Sequence, residues 1–169
     1  MLAGMTAGQM AELITELYDN RKEARDFLEF YMKPDIVSRV NKTRAAIAKE
    51  TNRNSRNRNR ARVSKLRGHI KDISSLNPGA EIVCEIMTYA IEAICTAGSS
   101  QWIASATGKS MARLLEDTVT VIDRSGLSGN YLPRILKAVD GIRPAYSQSG
   151  EFKERMQETL GEIFSGGLN

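Results

Sequence analysis

Apolar residues recur at helical spacing along nearly the whole chain, and the first set follows Thr6 directly. Its members are Met10, Leu13, Ile14 and Leu17. A threonine in this position caps a helix, because its hydroxyl accepts a hydrogen bond from the first-turn backbone. No segment alternates apolar and polar residues in the manner of a half-buried strand. The pattern therefore predicts an all-α protein.

Two further helices are predicted before the middle of the chain. One begins at Arg21 and ends before Pro34, and the next has Pro34 in its first turn, where the fixed φ of proline is favourable. The first two helices should form a hairpin. The face of the second helix that is expected to point inward consists of Ala24, Phe27, Leu28 and Tyr31.

The fourth and fifth helices have the clearest apolar periodicity. The fourth stops at Asn77-Pro78-Gly79, and its stripe is Val63, Leu66, Ile70 and Ile73. The fifth carries the core candidates Ile86 and Ile91 and is expected to end at Gly98, with that glycine as its left-handed cap. Its face opposite the apolar columns is Glu81, Glu85, Thr88 and Glu92.

Three more helices complete the chain. The sixth is expected to begin near Gln101, with Trp102 stapled onto the core and Leu115 among the core residues. Eight helices with short connections predict antiparallel pairs, packed as a bundle or a short helical stack. With 169 residues the chain is long enough for a substantial core, so we expect a single domain over residues 1–169.

Charge is distributed unevenly along the chain. Residues 39–71 hold twelve lysines and arginines against one acid, Glu50, and so have a net charge of +11. The remaining residues have a net charge of −7, which leaves +4 for the whole chain. Such a basic stretch is neutralised either inside the fold or by an external anion. If the fourth and fifth helices form a hairpin, Lys71 should lie near Glu85, and Arg67 near Thr88 and Glu92.

The centre of the basic stretch, residues 51–67, reads TNRNSRNRNRARVSKLR, with seven cations, four asparagines and no acid. Arginines spaced by asparagine resist burial and can reach phosphates or carboxylates. The candidate binding residues are Arg53, Arg56, Arg58, Arg60 and Arg62. A solvated, flexible connector at about 51–60 explains the composition equally directly.

Two binding functions are compatible with these arginines. The first is a protein-interaction module whose unknown partner presents an acidic surface. The alternative is a nucleic-acid-binding protein that uses residues 53–71 for phosphate contacts. No aromatic residue lies in this stretch to stack on bases, and no helix-turn-helix or zinc module accompanies it. The protein partner is therefore the leading hypothesis.

Other motifs do not indicate catalysis or a cofactor. The ThrGlyLysSer at residues 107–110 resembles the end of a phosphate-binding loop, but Ile103 occupies the position of the required first glycine. The single histidine, His69, has only Asp72 as a nearby acid and no nucleophile to activate. The acidic face of the fifth helix has no histidine to complete a metal site. We therefore expect no enzyme activity, no metal and no cofactor.

The chain also predicts a cytoplasmic location. Its start, MLAGMTAGQM, lacks the cationic region and apolar run of a signal peptide. The apolar stretch from Ile82 to Cys95 contains two glutamates and is too short to span a bilayer. Cys84 and Cys95 would lie about 16 Å apart on one helix, beyond the reach of a disulfide, and are expected to be reduced.

Four features of the layout occur in this order: LITELYDNRKEARDFLEFYMKPD, a basic segment, a helix ending at SSLNP, and the helix containing EIMTYAIEA. This layout resembles a bacterial family of small all-helical proteins that is defined as a domain of unknown function. It covers most of the chain, and its motifs are patterns of core residues. The Asn/Arg run between Glu50 and Arg62 departs from the family's pattern. The resemblance implies an all-α fold and carries over no functional residue.

Overall fold

A computed structural model describes residues 4–52, 62–143 and 147–166 of the chain. These ranges contain eight α-helices and no β-strand, so the all-α prediction is confirmed. The helices are α1 (Ala7–Asn20), α2 (Lys22–Met32), α3 (Ile36–Thr51), α4 (Val63–Ser74), α5 (Ala80–Ser100), α6 (Ser105–Arg124), α7 (Ser128–Asp140) and α8 (Ser147–Ser165).

The chain separates into two compact units, Met1–Val37 and Ser38–Asn169. The expectation of a single domain over residues 1–169 stays a prediction. The first unit holds the α1–α2 hairpin, and the second holds the remaining helices and the principal core.

Polar contacts join the two helices of the first unit. Arg25 of α2 donates from Nε to the carbonyl oxygen of Tyr18 at 3.0 Å, and its guanidinium lies over the Tyr18 ring. The Tyr18 hydroxyl donates to Glu29 Oε1 at 3.1 Å. Thr6 caps α1 as predicted, in a reciprocal capping box with Gln9. Hydrogen bonds from Arg25 and Tyr18 and the ring contact of Arg25 therefore join α1 to α2.

Helix α5 lies at the centre of the second unit and contacts α4, α6, α7 and α8. The core candidates Ile86, Ile91 and Leu115 are all fully buried, as predicted. The Tyr131 hydroxyl donates to the carbonyl oxygen of Glu81, and the backbone N–H of Arg143 donates to Ser99 Oγ. The first contact joins the start of α7 to the start of α5, and the second joins the residues just after α7 to the end of α5. The two helices therefore run parallel.

The predicted end of α5 at Gly98 is wrong. The helix continues to Ser100, and Gly98 lies inside it against the ring of Phe152 in α8. Glycine is needed there for close helix packing rather than for a left-handed cap. Two predictions for the residues after α5 are also wrong. Helix α6 begins at Ser105 and not near Gln101, and the Trp102 side chain is half exposed and does not pack into the core.

Two predictions about α5 require correction, namely its polar face and its being too short to span a bilayer. Thr88 is fully buried, because α5 is enclosed by other helices on most of its circumference. The helix has 21 residues, which makes it long and apolar enough to cross a membrane by length and composition alone. Of its most apolar window, 56% is buried against the rest of the molecule.

The Asn/Arg run between Glu50 and Arg62 is flanked by well-packed helices. The predicted stripe of α4 is buried along its whole length. Helix α3 continues to Thr51, which is buried and donates to the carbonyl oxygen of Ile47. Gln101 donates from Nε2 to the carbonyl oxygen of Thr51 at 2.6 Å and fixes the end of α3. Thr51 therefore belongs to α3, and residues 53–60 of the predicted connector lie outside the described residues.

Candidate interaction surfaces

Of the five candidate arginines, the structure places Arg62 alone. Arg53, Arg56, Arg58 and Arg60 lie outside the described residues. Arg62 directly precedes α4, and its Nε lies 3.6 Å from Oε2 of Glu50 near the end of α3. The Glu50 carboxylate is largely buried, while the Arg62 side chain is more than half exposed. Arg62 therefore joins the two helices that border the Asn/Arg run and keeps part of its guanidinium accessible.

The acidic face of α5 is neutralised by arginines from α3 and α7. Arg134 of α7 donates to Glu85 Oε2 at 2.5 Å and to both carboxylate oxygens of Glu92 at 3.0 Å. Arg44 of α3 also donates to Glu85, and its guanidinium lies over the ring of Tyr89. These side chains are about a quarter to two fifths exposed. We call these four residues (Arg44, Glu85, Glu92 and Arg134) the arginine–glutamate cluster.

The protonation of the arginine–glutamate cluster follows from its geometry. Burial raises the pKa of Glu85, but the hydrogen bonds and charges of Arg134 and Arg44 outweigh it and leave this pKa below its ordinary value of 4.5. Hydrogen bonds to Glu92 and Glu85 raise the pKa of Arg134. Glu85 and Arg134 are therefore both charged at neutral pH, and the arginine–glutamate cluster joins three helices.

The expected ion pairs between α4 and α5 are wrong. Glu85 and Glu92 pair with Arg44 and Arg134 instead, and Arg67 of α4 pairs with Asp117 of α6 at 2.5 Å. Arg134 and Arg44 are more than forty residues away from Glu85 in sequence. No local spacing could therefore have indicated these partners.

Three lysines of the basic stretch remain exposed on the second unit. Lys42 lies on α3, and Lys65 and Lys71 lie on α4. Within the described ranges none of the three has an ion pair or a side-chain hydrogen bond, in contrast to Arg44, Arg62 and Arg67. The fold thus neutralises part of the basic stretch and leaves part available to an external anion.

The apolar face predicted to point inward on α2 is partly exposed. Phe27 is 42% exposed and Tyr31 is 76% exposed, and their rings stack at 6.3 Å. Met10, Ile14 and Leu17 form an exposed stripe on α1. No residue of either helix is buried. The helical period was predicted correctly, but the first unit contains too few residues to cover both helices.

A groove of about 540 Å³ lies between α5 and α7, near the carboxyl ends of both helices. Its charged lining residues are Glu92, Arg134, Lys137 and Arg143. Cys95 lies at its floor, where burial raises the pKa of the thiol to about 12. At neutral pH this thiol is protonated and is a poor nucleophile. Sequence reasoning did not identify Lys137 or Arg143, which have no distinctive spacing.

The remaining motifs are placed on helices. ThrGlyLysSer lies in the first turns of α6, with Gly108 buried against Phe152. His69 is half-buried on α4, and in the described chain no hydrogen bond or ion pair joins it to Asp72. Among the residues that the structure describes, no group of three or more His, Cys, Asp or Glu could hold a metal ion.

One family model matches nearly the whole chain. It is that of the Family of unknown function (DUF6155), and it covers residues 1–160. The chain belongs to this family. The predicted membership of an uncharacterised family is thereby confirmed. No curated protein and no solved structure matches the chain.

The DUF6155 match extends across both compact units and the Asn/Arg run. The α1–α2 hairpin and the arginine–glutamate cluster therefore both lie within the family's extent. The description of DUF6155 names no activity.

Proposed function

We propose that this protein acts by binding a protein partner with an acidic surface, through residues 53–71 of the basic stretch. The observation that carries the proposal is the unequal neutralisation of the stretch. Arg44 and Arg67 have carboxylate partners within the fold, whereas Lys65 and Lys71 have none within the described ranges. These lysines extend the basic character of the run from Arg53 to Arg62 onto helix α4.

The residue types favour a carboxylate-rich partner. Arginine presents a planar fork that binds a carboxylate through two hydrogen bonds, and it is more weakly hydrated than lysine. Complementary charge across an interface accelerates association and selects the partner. Because exposed charges are screened within about 8 Å at physiological ionic strength, the complex should weaken as salt is added.

The proposed role is not catalytic. The support is the chemistry of the possible nucleophiles, since burial raises the pKa of the thiols of both Cys84 and Cys95. His69 has no orienting acid among its described contacts. A cytoplasmic location is part of the same proposal and rests on the two cysteines, which are free thiols.

The test compares binding to two probes, a decaglutamate peptide and a random-sequence DNA duplex. We expect the wild-type protein to bind the peptide at low salt. The variant in which Arg53, Arg56, Arg58, Arg60 and Arg62 are changed to Ala should lose this binding. A control variant that loses other exposed cations, at Lys33, Arg124, Lys137 and Arg143, should retain it.

The outcomes distinguish the two binding hypotheses. Binding to the duplex alone, with a log–log salt slope of about −4 to −5 when five arginines contact phosphate, would support the nucleic-acid alternative. Absence of binding to either probe at low salt would refute a binding role for the arginines. Circular dichroism checks that each variant keeps its helices.

A further inference from the structure

A second groove, of about 390 Å³, lies between α6 and α8. Its lining residues are remote in sequence from the basic stretch, so a ligand bound in this groove would be independent of the function proposed above. Its charged lining residues are Lys109, Arg113, Glu116, Arg155, Glu158 and Glu162. We call it the α6–α8 groove.

The two helices that form the α6–α8 groove run in the same direction. Gly108, near the start of α6, lies against Phe152 and Arg155 in the first half of α8. The groove then continues along α6 to Glu116 and along α8 to Ile163. The start of one helix therefore faces the first half of the other, and their later turns also line the groove together.

The six charged side chains of the groove form no ion pair with one another in the described chain. Each helix also places like charges one turn apart, with Lys109 followed by Arg113 on α6 and Glu158 followed by Glu162 on α8. Like charges at this spacing repel and destabilise a helix. Three cations and three carboxylates thus face one groove without satisfying each other.

Charge is separated along the length of the α6–α8 groove. Lys109 and Arg155 lie at the end nearer the start of α6, and Glu116 and Glu162 lie seven residues further along their helices. At 1.5 Å per residue this separation is about 10 Å. One end of the groove is therefore basic and the other acidic.

The floor of the groove leaves room for a ligand. It is formed by Ala112, Thr159 and Ile163, of which Ala112 is buried. Thr159 uses its hydroxyl to donate to the carbonyl oxygen of Arg155 in its own helix. A volume of about 390 Å³ falls in the range of small-molecule sites.

We propose that the α6–α8 groove binds a short peptide with free termini. Its carboxylate pairs with Lys109 and Arg155, and its ammonium group pairs with Glu116 and Glu162. Three residues in extended conformation span about 10 Å, which matches the separation of the two ends. Arg113 and Glu158, between the ends, are available to the polar groups of the peptide.

The test is titration of the full-length protein with unblocked trialanine, followed by amide chemical shifts in NMR. We expect saturable shifts at residues lining the groove. N-acetylated trialanine and trialanine amide should each bind several-fold more weakly, because each loses one charged terminus and an exposed charge contact contributes up to about a factor of five. Trialanine blocked at both ends should show an additive loss.

Two pairs of substitutions locate the ends of the ligand. Lys109→Gln with Arg155→Gln should abolish the preference for a free carboxylate and keep that for a free amine. Glu116→Gln with Glu162→Gln should do the reverse. Lys137→Gln, in the groove between α5 and α7, serves as the control and should leave both preferences unchanged. The single variant Lys109→Gln, at an exposed position, replaces its pair if Arg155→Gln impairs folding.

Other results would overturn the proposal. Equal affinity for free and blocked trialanine would show that the charged ends do not recognise termini. Inorganic phosphate that binds as tightly as trialanine and shifts only residues near Lys109 and Arg155 would indicate a simple anion site. Shifts confined to residues outside the groove would place the ligand elsewhere.

Discussion

At the scale of single residues, two glycines face Phe152 of α8: Gly98 on α5 and Gly108 on α6. They affect how closely these helices approach α8. A Cβ atom at Gly98 would overlap the ring of Phe152, whereas a Cβ atom at Gly108 would lie 3.6 Å from the same ring, in ordinary contact. Both glycines are helical and buried. They therefore provide a matched pair in which backbone propensity is equal and the available space differs.

We expect Gly98→Ala to destabilise the protein by about 1–3 kcal/mol, because it forces the Phe152 ring to move in a packed core. Gly108→Ala should be neutral or slightly stabilising, since alanine is preferred to glycine inside a helix. The free energy of unfolding in urea measures both effects. Equal effects of the two substitutions would show that the α5–α8 contact is looser than described.

The buried core residues provide a second prediction. Ile86, Ile91 and Leu115 are fully buried in the main core. Truncation of any one to alanine should cost about 2–5 kcal/mol, from lost burial and from the cavity left behind. A loss below about 1 kcal/mol in urea unfolding would contradict the assignment of that position to the core.

At the scale of helices, α5 is held to α3 and α7 by the arginine–glutamate cluster. The pKa of Glu85 is lower in the folded protein than in the unfolded chain. A carboxyl group with a lowered folded pKa stabilises the protein above its unfolded value of 4.5, and this stabilisation disappears as the pH falls through the folded value. The cluster therefore links acid stability to the packing of three helices.

We expect Glu85→Gln to destabilise the protein by about 1–3 kcal/mol at pH 7, because it removes the charge that both Arg134 and Arg44 contact. The difference from the wild type should shrink as the pH decreases from 5 toward 3, as Glu85 itself becomes protonated. Urea unfolding across this range provides the measurement. Asp72→Asn, an exposed position outside the cluster, is the control, and a pH-independent difference for Glu85→Gln would contradict the lowered pKa of Glu85.

At the scale of the whole molecule, the two compact units differ in burial and in charge. No residue of α1 or α2 is buried, whereas α5 alone has ten buried residues. Residues 1–37 contain four basic and seven acidic residues, a net charge of −3, so the remaining residues carry +7. The stability of the hairpin should therefore be lower than that of the second unit.

Hydrogen exchange in the full-length protein tests this difference. We expect the amides of α1 and α2 to exchange through local opening, orders of magnitude faster than those of α5, which should require global unfolding. Low concentrations of urea should accelerate exchange in α5 more than in the hairpin, because global unfolding exposes more surface. Equal protection of the two units would show that they unfold together.

The sequence alone determined the helical class, the eight helices and most of the core. These features depend on apolar spacing, on caps such as Thr6 and on breaks such as Asn77-Pro78, all of which act within a few residues. Ile86, Ile91 and Leu115 were identified correctly because a helix with strong periodicity must bury its apolar columns.

Only the tertiary structure decided which surfaces are covered and which charges meet. Phe27 and Tyr31 follow the helical period yet remain exposed, because burial depends on whether another element is present. Thr88 is buried because other helices enclose α5, and Glu85 is paired with Arg134, which lies 49 residues further along the chain. The α6–α8 groove likewise exists only because two helices separated along the chain lie side by side.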